Sequence, residues 1–176
     1  MDKIIGLGNA LIDVLATLKD DTLLDELELP KGSMQLIDDA KLQQINTKFS
    51  QMKTHLATGG SAGNAILGLA CLGAGTGFIG KVGNDNYGDF FRKNLQKNNI
   101  EDNLLTSEQL PSGVASTFIS QDGERTFGTY LGAAASLKAE DLTLEMFKGY
   151  AYLFIEGYLV QDHEMILHAI ELAKEA

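Results

Sequence analysis

Residues Thr58 to Gly88 read TGGSAGNAILGLACLGAGTGFIGKVGNDNYG, and this stretch decides the fold. Gly59 and Gly60 carry no Cβ, so the backbone can turn sharply there and approach a ligand closely. Ser61 is the expected N-cap of a helix running to about Leu72. The start of that helix offers N–H groups and a partial positive charge, and Asn64 in its first turn brings both a donor and an acceptor. A hydroxyl-rich or anionic ligand suits such a place. Gly73 and Gly75 stop the helix. Gly77 to Val82 reads as a buried strand, and Gly83 to Gly88 as a polar turn into a further helix. The plainer reading is a glycine-rich αβ connection with no ligand.

Bulk properties narrow the classes. A chain of 176 residues, 44% apolar, can bury the core of one domain. A net charge of -10 argues against nucleic acid or an anionic membrane surface as partner. A nucleotide remains compatible, because a helix N-terminus holds phosphate with few cations. Cys71 is the only cysteine, which leaves no internal disulfide or cysteine-based zinc site and fits a reducing cytoplasm. It is expected as a small core residue on the central helix. No secretion signal is expected, since Asp13 interrupts the N-terminal apolar run and no cationic leader precedes it. Thr54 to Gly80 lacks Asp, Glu, Lys and Arg over a membrane-spanning length. Its scattered Gly, Ser, Asn and His, with two helix-breaking glycines, argue against a membrane span.

Around the central stretch the chain alternates. Lys3 to Leu7 is expected as a buried strand and Leu11 to Leu18 as extended. Asp13 lies in this apolar run, as a turn or edge-strand residue or as a group with a partner or a task. Asp20 to Leu29 suggests a short helix ended by Pro30, and Ser33 to Ile37 a strand. Asp38 or Asp39 can cap a helix to about Met52 with Leu42, Ile45 and Phe49 inward. Tyr87 to Asn98 is expected as a helix with Phe90, Phe91 and Leu95 inward, and Asn103 to Thr106 as a short strand. Val114 to Gln121 and Thr126 to Leu131 flank the Asp122-Gly123 turn as a hairpin, which points to a small antiparallel sheet attached to an α/β body. Leu142 to Tyr150 is weakly helical, and Tyr152 to Ile155 is expected as a buried strand. Asp162 caps a last helix with Ile166, Leu167, Ile170 and Leu172 on its apolar side.

Several familiar patterns fail on detail. Gly6-Leu7-Gly8 opens like a dinucleotide fingerprint, but the third glycine is missing and a β-like run follows. Gly75 to Val82 approaches a P-loop, with Val82 where a metal-binding hydroxyl belongs and a strand where the cradle belongs. His163 and His168 are five residues apart and diverge by roughly 140° on a helix, so they cannot share a metal. Both are expected on the surface. Gly73-Ala74-Gly75 resembles part of an anion hole but is followed by Thr76.

Taken together, Gly6-Leu-Gly-Asn9-Ala-Leu-Ile-Asp13, Gly59-Gly60-Ser61-Ala-Gly63-Asn64 and Gly80-Lys-Val-Gly83-Asn-Asp85-Asn-Tyr-Gly88 resemble the PfkB, or ribokinase-like, family of sugar and nucleoside kinases. The Gly-Asn-Ala-Leu-Ile-Asp opening is more similar to its adenosine-kinase-like branch. The resemblance implies an α/β fold with a Rossmann-like three-layer parallel sheet. A small antiparallel β lid would be formed by segments 9–18, 33–37 and 113–131 within one domain. It implies an ATP-dependent phosphotransferase acting on a primary hydroxyl of a sugar or nucleoside, with ATP and Mg2+ as cofactors. Substrate binding would fall to Asn9, Asp13, Gln35, Gly59, Gly60, Ser61 and Asn64, with Leu131, Ala133 and Tyr158 as an apolar wall. The family's Gly-Ala-Gly-Asp segment, magnesium-binding segment and ATP pocket have no match in this chain. The resemblance therefore implies that the catalytic Asp lies beyond Ala176, and that no metal site lies before it. The chain resembles the N-terminal half of such a kinase, expected to be inactive alone. The alternative is a non-catalytic sugar- or nucleoside-binding fragment. Whether two copies pair as a homodimer through the lid is left open.

Overall fold

The computed structural model describes residues 2–176. Its frame is a four-stranded sheet in the order β6-β5-β1-β9. The strands are β1 (Ile4–Leu7), β5 (Thr76–Gly83), β6 (Ile100–Ser107) and β9 (Tyr152–Ile155). All three pairings are parallel, with Ile4 level with Thr76 on one side and Tyr152 on the other.

One face of this sheet packs under α3 (Ser61–Cys71) and α4 (Asn86–Lys97). There Phe78 stacks on Phe91 with ring centroids 5.5 Å apart, and a Cβ at Gly6 would collide with Ile66 of α3. The other face packs under α5 (His163–Glu175) and the 3-10 turns Gly132–Ser136 and Leu144–Phe147. Ile5, Leu7 and Ile79 meet Phe147, Met165 and Ala169 on that side, which completes three layers. Each fully buried side chain of this size contributes about 1.5–3 kcal/mol.

The second sheet has five strands in the order β3-β8-β7-β2-β4. They are β2 (Leu11–Thr17), β3 (Met34–Leu36), β4 (Thr54–Gly59), β7 (Gly113–Ile119) and β8 (Arg125–Tyr130). Alternation along β2 buries Ile12, Val14 and Ala16 against Val114 and Phe118, beneath α1 (Thr22–Glu26) and α2 (Asp39–Phe49). Leu42, Ile45 and Phe49 of α2 are buried as their spacing requires, and the Asp38 carboxylate accepts from Lys41 N at 2.8 Å. The sheet is mixed where an antiparallel one was expected. β2 and β7 run parallel, as do β3 and β8. The cause is the connectivity: β2 and β7 follow β1 and β6, which already run in one direction.

Other expectations need correction. Gly60 is the N-cap of α3, with φ 83° and no side-chain cap bond, and Ser61 is the first helical residue. Cys71 is exposed at the end of α3, where the helix leaves the core. Tyr152 and Phe154 of β9 are 61% and 41% exposed, because they face the α3 side beyond the reach of that helix. On α5 the buried residues are Met165 and Ala169, while Leu167 is 61% exposed. Among the described residues no helix is long and apolar enough to cross a membrane.

Candidate functional site

The turns at the carboxyl ends of β1 and β4 converge on the start of α3, the place where open α/β sheets hold ligands. Asn9 follows β1, and its Nδ2 donates to Glu156 Oε1 at 2.7 Å. Glu156 follows β9, is 2% exposed, and accepts from Ala62 N through Oε2 at 3.1 Å. Gly60 has φ 83°, and a Cβ there would collide with the Asn9 carbonyl oxygen, so the position requires glycine on both counts. Gly59 leaves room for Asp13, since a Cβ would come within 2.7 Å of the Asp13 carboxyl carbon. Asn64 N closes the first turn of α3 onto Gly60 O at 2.9 Å.

Asp13 sits on β2, level with Ala57 of β4 and Ala115 of β7. It is half-buried, and that burial raises its carboxyl above the usual 3.8, with the charge of Arg125 pulling the other way. Small neighbours thus leave one acceptor-rich carboxylate standing on the sheet face. A carboxylate in this position can accept from two adjacent hydroxyls.

The structure brings Asn9, Asp13, Gly59, Gly60, Ser61 and Asn64 into one constellation. Leu131 adjoins it, since a Cβ at Gly113 would crowd both Leu11 and the Leu131 carbonyl. Tyr158 is 67% exposed on the 3-10 turn Gly157–Gln161, two residues past Glu156. Ala133 is fully buried, so its side chain is not exposed to a ligand on this surface. Gln35 is not brought in. It lies on β3 at the far edge of the sheet, and its partner Gly128 faces Ile37 and Ile45, the face opposite Asp13. Ala176, beyond which the catalytic Asp is expected, is no part of the constellation either. It is the exposed C-cap of α5, and its N–H donates to Leu172 O at 3.0 Å. Two cavities of about 450 and 540 Å3 lie elsewhere, one between β9 and α5 and one beside Leu18, Lys48 and His55. The constellation falls in neither, being a shelf open at Ser61, Asn64 and Tyr158.

Sequence reasoning missed Glu156 and Arg125. An acidic residue between an apolar strand and Gly157 was the available signal for the first. A lone cation at the start of β8 in an acidic chain was the signal for the second.

Among the described residues no three His, Cys, Asp or Glu side chains converge as metal ligands. Lys81 is committed to Asp141 at 2.8 Å inside the fold.

Comparison with known proteins agrees with the fold. Fructokinase-1 of Zea mays is 32% identical over 127 residues, which cover 68% of this chain and 39% of that protein. The crystal structure of adenosine kinase from Sinorhizobium meliloti matches 99% of this chain and 54% of its own, at 30% identity and a TM-score of 0.83. A probable sugar kinase from Rhizobium etli CFN 42 matches 99% of this chain and 53% of its own, at 29% identity and a TM-score of 0.84. The chain thus spans about two fifths of that curated relative and about half of those solved structures. Residues 32–176 match the family described as pfkB family carbohydrate kinase, and to that family the chain belongs.

Proposed function

We propose that this chain is the acceptor-binding part of an ATP-dependent phosphotransferase acting on a primary hydroxyl of a sugar or nucleoside. A ribosyl acceptor such as adenosine is favoured. The observation that carries this reading is the half-buried Asp13 carboxylate beside the Gly59-Gly60 turn. In it, Asp13 accepts hydrogen bonds from acceptor hydroxyls, with Asn9, Gly60 and Asn64 as further polar contacts and Leu131 and Tyr158 as the apolar wall. The five-stranded sheet acts as a lid that excludes water, which would otherwise compete for the phosphoryl group. ATP supplies the phosphoryl group, and its binding residues, like the catalytic Asp, would come from outside this chain. The open edge of β9 and the exposed Tyr152 and Phe154 support that division. The adenosine preference rests on the Asn9-to-Asp13 opening.

Phosphoryl transfer also needs a base on the attacking hydroxyl and an anion-stabilising site, each contributing about a hundredfold or more. The purified chain with ATP, Mg2+ and adenosine or fructose should therefore release ADP at least about a thousandfold more slowly than the Sinorhizobium meliloti enzyme in the same assay. A comparable, acceptor-dependent rate would place the catalytic groups inside this chain and overturn the division. Acceptor binding without turnover is also the behaviour of a plain sugar- or nucleoside-binding unit. Restoration of ADP release by the second half of the Sinorhizobium meliloti enzyme, added as a separate polypeptide, would favour the kinase part.

A further inference from the structure

We infer that Glu156 is the positioning residue of this site: it fixes which end of the Asn9 side-chain amide faces the acceptor and anchors the first turn of α3. The inference deepens the proposed function and rests on it for the ligand.

A carboxylate that is 2% exposed is costly unless its oxygens are satisfied. Each oxygen of Glu156 has a separate partner: Oε1 takes Asn9 Nδ2 at 2.7 Å and Oε2 takes Ala62 N at 3.1 Å. One side chain on the β9 connection thereby joins the turn after β1 to the start of α3, across 147 and 94 residues of chain. The backbone is shaped to admit it. A Cβ at Gly8 would lie 2.8 Å from Glu156 Oε2 and 3.2 Å from Glu156 Cβ.

The consequence for recognition follows from the amide. With both oxygens engaged, Glu156 is not itself free for the acceptor. Its hold on Nδ2 leaves Asn9 Oδ1 on the other side of the planar group. Among the described residues Oδ1 takes no hydrogen bond from the protein, yet the buried polar atoms without a partner are only Thr76 Oγ1 and Ser116 Oγ. Oδ1 is therefore not fully buried, although Asn9 as a whole is only 6% exposed. Asn9 is presented as an acceptor, so it reads a hydroxyl donor on the ligand, as Asp13 does. A neutral glutamine at 156 could instead donate to Oδ1 while its own oxygen serves Ala62 N. That exchange would turn Asn9 around and present a donor.

The test uses this chain with Glu156→Ala and Glu156→Gln. Three readouts are followed: amide hydrogen exchange at Ala62 and at Ile79 of β5, the side-chain NMR resonances of Asn9, and calorimetric titration with adenosine and fructose. In Glu156→Ala, exchange at Ala62 should speed up about tenfold, the weight of one lost hydrogen bond, with Ile79 unchanged. In Glu156→Gln, Ala62 should stay protected while the Asn9 resonances move and acceptor affinity falls about tenfold or more. Unchanged Ala62 exchange in a folded Glu156→Ala would overturn the inference. If that variant unfolds, unmoved Asn9 resonances in Glu156→Gln would overturn it. Exchange and resonances need no ligand. Wild-type protein that binds neither probe would count against the kinase reading alone, and the first two readouts would still decide the role of Glu156.

Discussion

Gly60 and Gly68 lie at the start and in the middle of the same helix, and the environment of each predicts opposite effects of one methyl group. Gly60 has φ 83° and no room, since its Cβ would meet the Asn9 backbone, whereas a Cβ at Gly68 would meet nothing within 4 Å. Gly60→Ala should destabilise the chain by about 1–3 kcal/mol. Gly68→Ala should stabilise it by about 0.5–1 kcal/mol, because alanine loses less freedom in a helix. Urea unfolding of both variants checks the pair, and equal shifts would contradict the geometry. At this scale Asp13 and the Gly59-Gly60 turn were legible in sequence. A carboxylate in an apolar run and paired glycines before a helix are local signals. Glu156 was not, because its partners Asn9 and Ala62 are distant in sequence and only the fold brings them near.

Helix α4 shows how one capped element ties the two sheets together. The Asp85 carboxylate accepts from Gly88 N at 2.8 Å within the helix, and from Ser112 N at 2.8 Å and Ser112 Oγ at 2.7 Å on the connection into β7. Burial alone would raise this carboxyl, but the bonds from Ser112 and Gly88 outweigh it and hold it below the usual 3.8. The sign follows from linkage: a depressed carboxyl adds stability that is fully present above 3.8 and fades as pH falls through its lower folded value. Asp85→Ala should cost at least about 1 kcal/mol at neutral pH. In thermal melts the gap to wild type should narrow in acid below 3.8, and a gap independent of pH would contradict this role. The capping residues Asp38 and Asp162 could be read from sequence because cap chemistry is local, whereas Asp85 was read only as part of a polar turn. β4 could not. Its residues Thr54 to Gly59 show no clean alternation, since the strand lies at the sheet edge with His55, Leu56 and Ala57 exposed.

For the molecule as a whole, alternating strands and helices pointed to an α/β body, and its three-layer parallel sheet was what the family resemblance implied. The mixed pairing of the second sheet did not follow from either, because parallel partners β2 and β7 are joined only through the order of the first sheet. That sheet carries Asp13 in front of the Gly59-Gly60 turn, and the account stands on this juxtaposition holding a hydroxyl-bearing acceptor. Loss of one charge-assisted bond there corresponds to about a tenfold to hundredfold loss of affinity. Burial raises the Asp13 carboxyl, so a neutral amide at this position should leave the fold intact. The decisive measurement is a calorimetric titration of the purified chain and of Asp13→Asn with adenosine and with fructose, without ATP. The account predicts that wild type binds at least one of them and that Asp13→Asn, equally folded, binds it about tenfold to hundredfold more weakly. Equal binding by both proteins, or no binding of either compound by wild type, would contradict it.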